Sequence, residues 1–231
     1  MRFEKTKTFN FDGALRGMRN PLESWDRSDS AFGLDVEAEN GKMLGYSEIC
    51  KIGENDMNLA QRLIAGGSPH RKFLRQIMVN VDITAPMYWW KEFDTYKVGT
   101  VANSTSTMHK LASTPITLDC FETDDYCPGA METSDPYESP VGEFVDDMIG
   151  YLESMRKRYN DTKDKKILKE LFRWLPSSWL YKRTVTMNYE VIRQVCYWRE
   201  GHKLSEWQSF IDWAHTLPYA EEFIFYNGEK G

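Results

Sequence analysis

Two stretches decide the reading of this chain: Ala85-Pro86-Met87-Tyr88-Trp89-Trp90-Lys91-Glu92-Phe93-Asp94-Thr95-Tyr96-Lys97-Val98-Gly99-Thr100, and Leu175-Pro176 through Arg199. In the first, Pro86 opens a helix with Met87, Trp90 and Phe93/Asp94 at helical spacing, and Gly99 breaks it. Trp89 and Trp90 point about 100° apart on such a helix, which predicts one in the core and one turned to a neighbouring subunit. Upstream, Ile77, Val79, Val81 and Ile83 alternate with Met78, Asn80, Asp82 and Thr84, the period of a half-buried strand. In the second stretch, Leu175-Pro176-Ser177-Ser178 is a break. Arg183 to Trp198 then reads as one long helix with Val185, Asn188, Val191/Ile192 and Val195 on a face.

Working outward, Lys7 to Leu15 reads as extended, and Gly13 to Asn20 as a short helix ended by Asn20-Pro21. Glu23 to Lys42 is polar, with Gly33 and Gly41, and reads as a loop or insertion. Asp56 is a candidate N-cap for a helix over Met57–Ile64 that closes at Gly66-Gly67. Ser68-Pro69 starts a helix to Gln76. Thr100 to Thr107 is rich in hydroxyls, and Leu118 to Asp147 is an acidic surface loop. Helices are expected over Val145–Tyr159, Asp164–Trp174 and Leu204–Leu217, the last with Trp207, Phe210/Ile211 and Ala214 inward. The sum is an α+β fold with a small antiparallel or mixed sheet and several helices. It forms a single domain over 1–231, with insertions or loops at 23–50 and 115–147.

The 231 residues carry 41% hydrophobic and 14% aromatic side chains, enough for a substantial core. A net charge of −6 argues against duplex nucleic acid, which needs a basic face, but leaves room for a local pocket for one nucleotide. No apolar run is long enough to cross a membrane, and Met1-Arg2-Phe3-Glu4-Lys5 lacks an apolar signal core, so a cytoplasmic protein is expected. Cys50, Cys120, Cys127 and Cys196 form no Cys-x-x-Cys pair, so neither a zinc site nor a disulfide framework is expected, and no metal. Cys196 reads as a small buried hydrophobe. Phosphate-loop, dinucleotide-fingerprint and nucleophile-elbow motifs are absent.

The order of helix, Gly66-Gly67-Ser68-Pro69, strand, Ala85-Pro86 and helix resembles the flavin-dependent thymidylate synthases. In that family the order leads into an Arg-His-Arg triple, then a serine, an Asn-Glu, a Ser and an Arg. Here the triple falls on Thr95, Tyr96 and Lys97, and the serine on Thr100. The polar tail falls on Asn103, Ser106 and His109, and Glu92 stands where the family often has Gln. The second stretch matches in shape through Leu175-Pro176, Lys182, Asn188 and Arg199, with Ser205-Glu206-Trp207-Gln208 downstream. The resemblance covers about residues 10 to 20, 55 to 110 and 172 to 218. It implies a homotetramer with sites at subunit interfaces, bound FAD and the nucleotide dUMP. It also implies transfer of a one-carbon unit from methylenetetrahydrofolate to dUMP with reduction by flavin hydride, without a cysteine nucleophile. By position it assigns Tyr96, Lys97, Thr100 and Asn188 to the cofactor, and Glu92, Ser106, His109, Lys182 and Arg199 to the nucleotide.

Each assignment has a plainer counterpart. Arg199 presents its fork to a phosphate or pyrimidine edge, or completes a helix C-terminus. Lys182 neutralises a phosphate or is a solvated lysine. Asn188, in mid-helix, binds flavin or ties two helices. Tyr96 stacks on a ring or packs at a helix end. Thr100 and Ser106 cradle a phosphate or belong to an ordinary turn, and His109 is a ligand or structural. Only Lys97 of the triple keeps a positive charge, and each lost charge-assisted hydrogen bond costs about 1.5–3 kcal/mol. The alternative is therefore a catalytically inactive homologue acting as a nucleotide-binding or oligomeric interaction protein. The active reading places Lys97, Lys182 and Arg199 around one anion-accepting pocket.

Overall fold

The computed structural model describes residues 1–39, 42–96, 98–129 and 141–228. The fold is α+β, with a small antiparallel sheet and several helices. The four-stranded sheet has the order β1-β4-β6-β5, from strands Arg2–Phe9, Val101–Ser104 (β5), Met78–Pro86 (β4) and Leu180–Asn188 (β6), β1 being the first of these. The chain groups into two compact units interleaved in sequence. The first contains Met1–Phe3, Asp82–Thr95 and Ala102–Thr184. The second contains Glu4–Val81, Tyr96–Val101 and Val185–Gly231.

In the first unit, helix α3 (Met87–Phe93) follows β4 directly, with Pro86 at its N-cap, as the sequence predicts. A helix start leaves several backbone N–H groups without intrahelical partners. Here Met87 N donates to Trp179 O (3.1 Å) and Tyr88 N to Ser177 O (3.1 Å), so the two decisive stretches meet through the backbone. Trp89 and Trp90 are both fully buried, contrary to the expectation that one turns outward. Trp89 stacks on Phe93 at 5.0 Å and Trp90 meets Phe93 edge-on at 5.5 Å, so the short helix buries aromatics on more than one side. Helices α4 (Thr107–Ser113), α5 (Val141–Thr162) and α6 (Lys165–Arg173) complete the unit. Asp164 caps α6 by accepting from Lys166 N at 2.8 Å. Leu111, Ile116, Phe121, Leu152, Met155, Leu171 and Trp179 form its apolar cluster. The acidic stretch is not uniformly a loop: Leu118–Cys120 is a 3-10 turn and α5 starts at Val141, while residues 130–140 lie outside the described residues.

In the second unit, Asn10 adopts φ 70°, a left-handed conformation that Asn tolerates, and turns β1 into helix α1 (Phe11–Arg19). The extended reading of Lys7 to Leu15 therefore stops at Phe9. The polar stretch read as a loop is an antiparallel hairpin, β2 (Ala31–Glu39) with β3 (Lys42–Lys51), in the register Ala31↔Lys51 to Glu39↔Lys42. Helix α2 (Glu54–Ala65) begins before Asp56, with Gly53 at its N-cap. Asp56 is instead fully buried. It accepts from Arg19 Nε at 2.5 Å and from Ser28 and Ser30 hydroxyls at 2.6 and 2.5 Å. Burial opposes its ionisation, but these hydrogen bonds and the Arg19 charge outweigh that and hold the carboxyl below the usual range. The helix expected from Pro69 to Gln76 is a turn followed by a 3-10 segment, Lys72–Arg75. Gly67 at φ +91° redirects the chain, and its carbonyl accepts from His70 N and Arg71 N.

The long helix expected over Arg183–Trp198 is divided. Leu180–Asn188 is strand β6 and only Tyr189–Arg199 is helix α7. Helix α8 (Ser205–His215) and the short α9 (Ala220–Phe223) come after it. Trp207, Phe210, Ile211 and Ala214 face inward on α8, as the spacing predicts, and Cys196 is buried. Phe11, Tyr189 and Phe223 close this core through edge and tilted ring contacts at 5.7 and 6.3 Å.

Candidate functional site

The second unit holds a groove of about 990 Å³ built around the β6–α7 junction. Asn188 ends the strand and caps the helix: its Oδ1 accepts from Val191 N at 3.0 Å. It therefore sits at a helix start, not in mid-helix. Gly99, at φ +82°, approaches this cap closely. A Cβ there would lie 2.9 Å from Asn188 Nδ2 and 3.2 Å from Val191 Cγ2. Only glycine takes that conformation at no steric cost.

Arginines set the groove's charge. Arg71 Nε donates to both carboxylate oxygens of Glu190, at 2.9 and 3.1 Å. Arg75 donates to the Ser68 hydroxyl at 3.1 Å. Arg193 donates to Ile224 O at 2.5 Å and to Asn227 Oδ1 at 3.3 Å. Burial, and then the nearby Arg71 charge, hold the Arg193 guanidinium below the usual arginine range. Tyr197 and Trp198 are exposed on the same groove. It thus combines converging cations, a tight backbone approach and aromatic surface, the composition of a site for a planar anionic molecule.

Four of the residues singled out from the sequence belong to this unit: Tyr96, Thr100, Asn188 and Arg199. Arg199, the last residue of α7, donates through Nε to Tyr96 OH at 2.9 Å. Its guanidinium carbon lies 4.4 Å from the Trp207 ring centroid and 5.5 Å from that of Tyr96. The fork is thereby oriented by two aromatic rings. Thr100 Oγ1 donates to Tyr96 O at 2.9 Å and closes the turn before Val101. Of the four, only Asn188 lines the groove.

Glu92, Ser106, His109 and Lys182 belong to the first unit. Glu92 is half-buried on α3, and its carbonyl accepts from Thr95 Oγ1 at 2.7 Å. Ser106 is the exposed N-cap of α4 and makes no side-chain cap hydrogen bond. His109 is exposed on α4. Lys182 Nζ lies 3.5 Å from Asp82 Oδ2, and Asp82 also accepts from Thr184 at 2.6 Å. Thr105 N donates to Lys182 O at 2.9 Å, which brings the hydroxyl-rich turn alongside Lys182. Lys97 lies outside the described residues. Lys182 belongs to the first unit and Arg199 to the second.

Sequence reasoning passed over Arg71, Arg75, Arg193 and Glu190. Arg71 and Arg75 lay within what read as an ordinary helix. Arg193 and Glu190 lay on the polar side of a supposed longer one. The available signal was the run His70-Arg71-Lys72 with Arg75, four cations or near-cations in a short span. It also passed over Arg183, which donates to Asp94 at 2.8 Å and lies 4.2 Å from the Trp90 ring centroid.

No protein-family model matches the chain, and no curated protein matches it by sequence. Solved structures do match by fold. One is a crystal structure of the flavin-dependent thymidylate synthase ThyX from Helicobacter pylori complexed with FAD and dUMP. Its TM-score is 0.63 at 16% identity, covering 97% of this chain and 98% of that one. A second structure of ThyX from the same organism, also with FAD and dUMP, has a TM-score of 0.64 at 14% identity, covering 97% of each chain. Over nearly its whole length, then, this chain has the fold seen in flavin-dependent thymidylate synthase ThyX.

Proposed function

We propose that the protein binds a flavin dinucleotide and a deoxyuridylate-type nucleotide, acting in the cytoplasm as a homotetramer of one α+β domain per chain. The single observation that carries this reading is the groove of the second unit. There Gly99 and the Asn188 cap approach closely and Arg71, Arg75 and Arg193 converge. Its volume falls within the range of small-molecule sites. The fold shared with ThyX, whose solved structures hold FAD and dUMP, supports the same assignment.

The residues present fit an anionic dinucleotide. The arginines would take phosphate oxygens, and glycine at position 99 lets its backbone pack closely on the Asn188 cap in the groove wall. The resemblance would assign Asn188, which lines this groove, together with Tyr96, Lys97 and Thr100 to the cofactor. The resemblance would assign Arg199, Lys182, Ser106, His109 and Glu92 to the nucleotide, and of these Lys182 already lies beside Asp82 and Ser106 makes no side-chain cap hydrogen bond. A bound flavin would supply hydride chemistry. What the chain's own residues contribute is anion recognition and the fixed orientation of the Arg199 fork between Tyr96 and Trp207.

The purified protein should show flavin absorbance or acquire it with added FAD, and FAD and dUMP should each raise its melting temperature. A colourless protein that takes up no FAD and is not stabilised by either ligand would overturn the reading.

A second reading, binding without catalysis, is favoured by one observation: the guanidinium best placed by sequence already contacts Tyr96 and Trp207. Thr95 and Tyr96 also carry no charge where the family triple does. Formation of dTMP from dUMP, methylenetetrahydrofolate and a reductant decides between the two. Bound flavin without product supports the inactive homologue.

A further inference from the structure

Beyond the residues assigned above, the groove of the second unit contains a built aromatic platform. His215, the last residue of α8, lies parallel on Phe225, with ring centroids 3.6 Å apart and 6° between planes. Its Nδ1 sits 2.5 Å from Glu221 Oε1, so the carboxylate fixes the ring's rotation. The His215 side chain nevertheless remains 43% exposed, and both rings line the groove. The segment carrying Phe225 is held by Arg193, which donates to Ile224 O and Asn227 Oδ1 on either side of it. A flat ring with one face covered and its rotation set, in a groove that Arg193 also lines, is unlike a surface histidine that merely faces a helix C-terminus.

The geometry points to His215 as a stacking platform for the base of a nucleotide whose phosphate meets Arg193. This deepens the nucleotide-binding reading and rests on it. The chemistry is specific to a planar ring joined to an anion. Every nucleobase has a π-face that stacks on an aromatic side chain, while the Arg193 guanidinium favours a phosphate. Burial and then repulsion from Arg71, against attraction from Glu190, lower Arg193's preference for its charge, and the negative charge of a bound phosphate would offset them. Glu221 is a positioning residue here, since it acts through the histidine ring. Two sources share this chemistry: a free pyrimidine nucleotide and the adenosine half of a flavin dinucleotide.

The experiment measures dissociation constants of AMP, dUMP and FAD for the full chain and for His215→Phe and His215→Leu, by titration calorimetry, with melting temperatures as a folding control. Both variants keep an apolar side chain against Phe225, and only phenylalanine keeps a flat ring. Stacking is worth about 1–3 kcal/mol per base, so His215→Leu should weaken at least one ligand by about 5- to 150-fold. His215→Phe should keep affinity within about threefold of the parent. Loss for AMP and FAD together assigns the platform to adenine, and loss for dUMP assigns it to the pyrimidine. If the parent binds and His215→Leu binds all three equally well, the platform is refuted while the nucleotide-binding reading stands. If the parent binds none of them, that reading falls and the platform with it.

Discussion

The two compact units use their cations differently. In the first, Arg156 is held by Glu153, Lys182 lies on Asp82, and Arg183 is held by Asp94 over the Trp90 ring. Glu153 shows how fully such a charge is engaged. Hydrogen bonds from Arg156, against the cost of burial, and then from Ile116 N hold its carboxyl at about 2. The second unit's groove is lined by Arg71, Arg75 and Arg193 with Glu190 and Glu200; Arg71 is held by Glu190, while Arg75 donates to the Ser68 hydroxyl. Among the described residues Arg193 donates to neutral oxygens only. A carboxylate beside a cation closes it into the fold, whereas a carbonyl orients a guanidinium and leaves its charge available to an anion.

The largest effect that would sharpen this contrast belongs to a charge wholly committed to structure. Asp56→Ala leaves Arg19 buried without its carboxylate and should cost about 3–5 kcal/mol in denaturant unfolding. The native pKa of Asp56 lies below its unfolded value near 3.8. Its contribution is therefore present above that value and lost as pH falls through the lower native pKa. A variant as stable as the parent would show that the buried pair holds nothing.

One substitution in each unit tests the contrast head-on. Arg193→Leu should weaken nucleotide binding by about 1.5–3 kcal/mol, the worth of a charge-assisted hydrogen bond. Lys182→Met, whose charge already has Asp82, should change it by less than about 0.5 kcal/mol. Equal losses in calorimetric titration would erase the distinction between the units.

Gly99→Ala should cost about 1–3 kcal/mol of stability, because φ +82° strains any side chain and the added Cβ meets Asn188 Nδ2. Thermal unfolding that matches the parent would remove the tight approach from the site. The smallest effect is expected at Ser106→Ala, within about 0.5 kcal/mol, since this cap makes no side-chain hydrogen bond. A larger loss of nucleotide affinity than of stability there would return the hydroxyl-rich turn to the candidate ligand contacts.

Much of the fold was legible wherever a local rule governs. The Pro86 start of α3, the Leu175-Pro176 break and the inward face of α8 all arise from chain geometry and spacing. Misreadings came where two periods fit the same letters. Arg183-Thr184-Val185-Thr186-Met187-Asn188 satisfies a helical face when joined to Tyr189–Arg199. It also alternates as a strand, and the sheet partners decide. Taking it as helix hid the role of Asn188 as an N-cap. The candidate site fared likewise. The match that singled out Asn188 and Arg199 brought one of them to the groove wall, while Arg71, Arg193 and His215 went unread.

By itself, the order of residues determined the local stops and starts, the amphipathic faces and a likeness that the shared fold with ThyX supports, because each depends on neighbours within a few positions. The tertiary structure alone decided which cations converge. Arg71, Arg193 and Phe225 come from three separate segments, and no spacing along the chain encodes their meeting. It also decided which of two periods β6 would obey. A short apolar run acquires its secondary structure from the partner that takes up its backbone hydrogen bonds, and that partner lies far away in sequence.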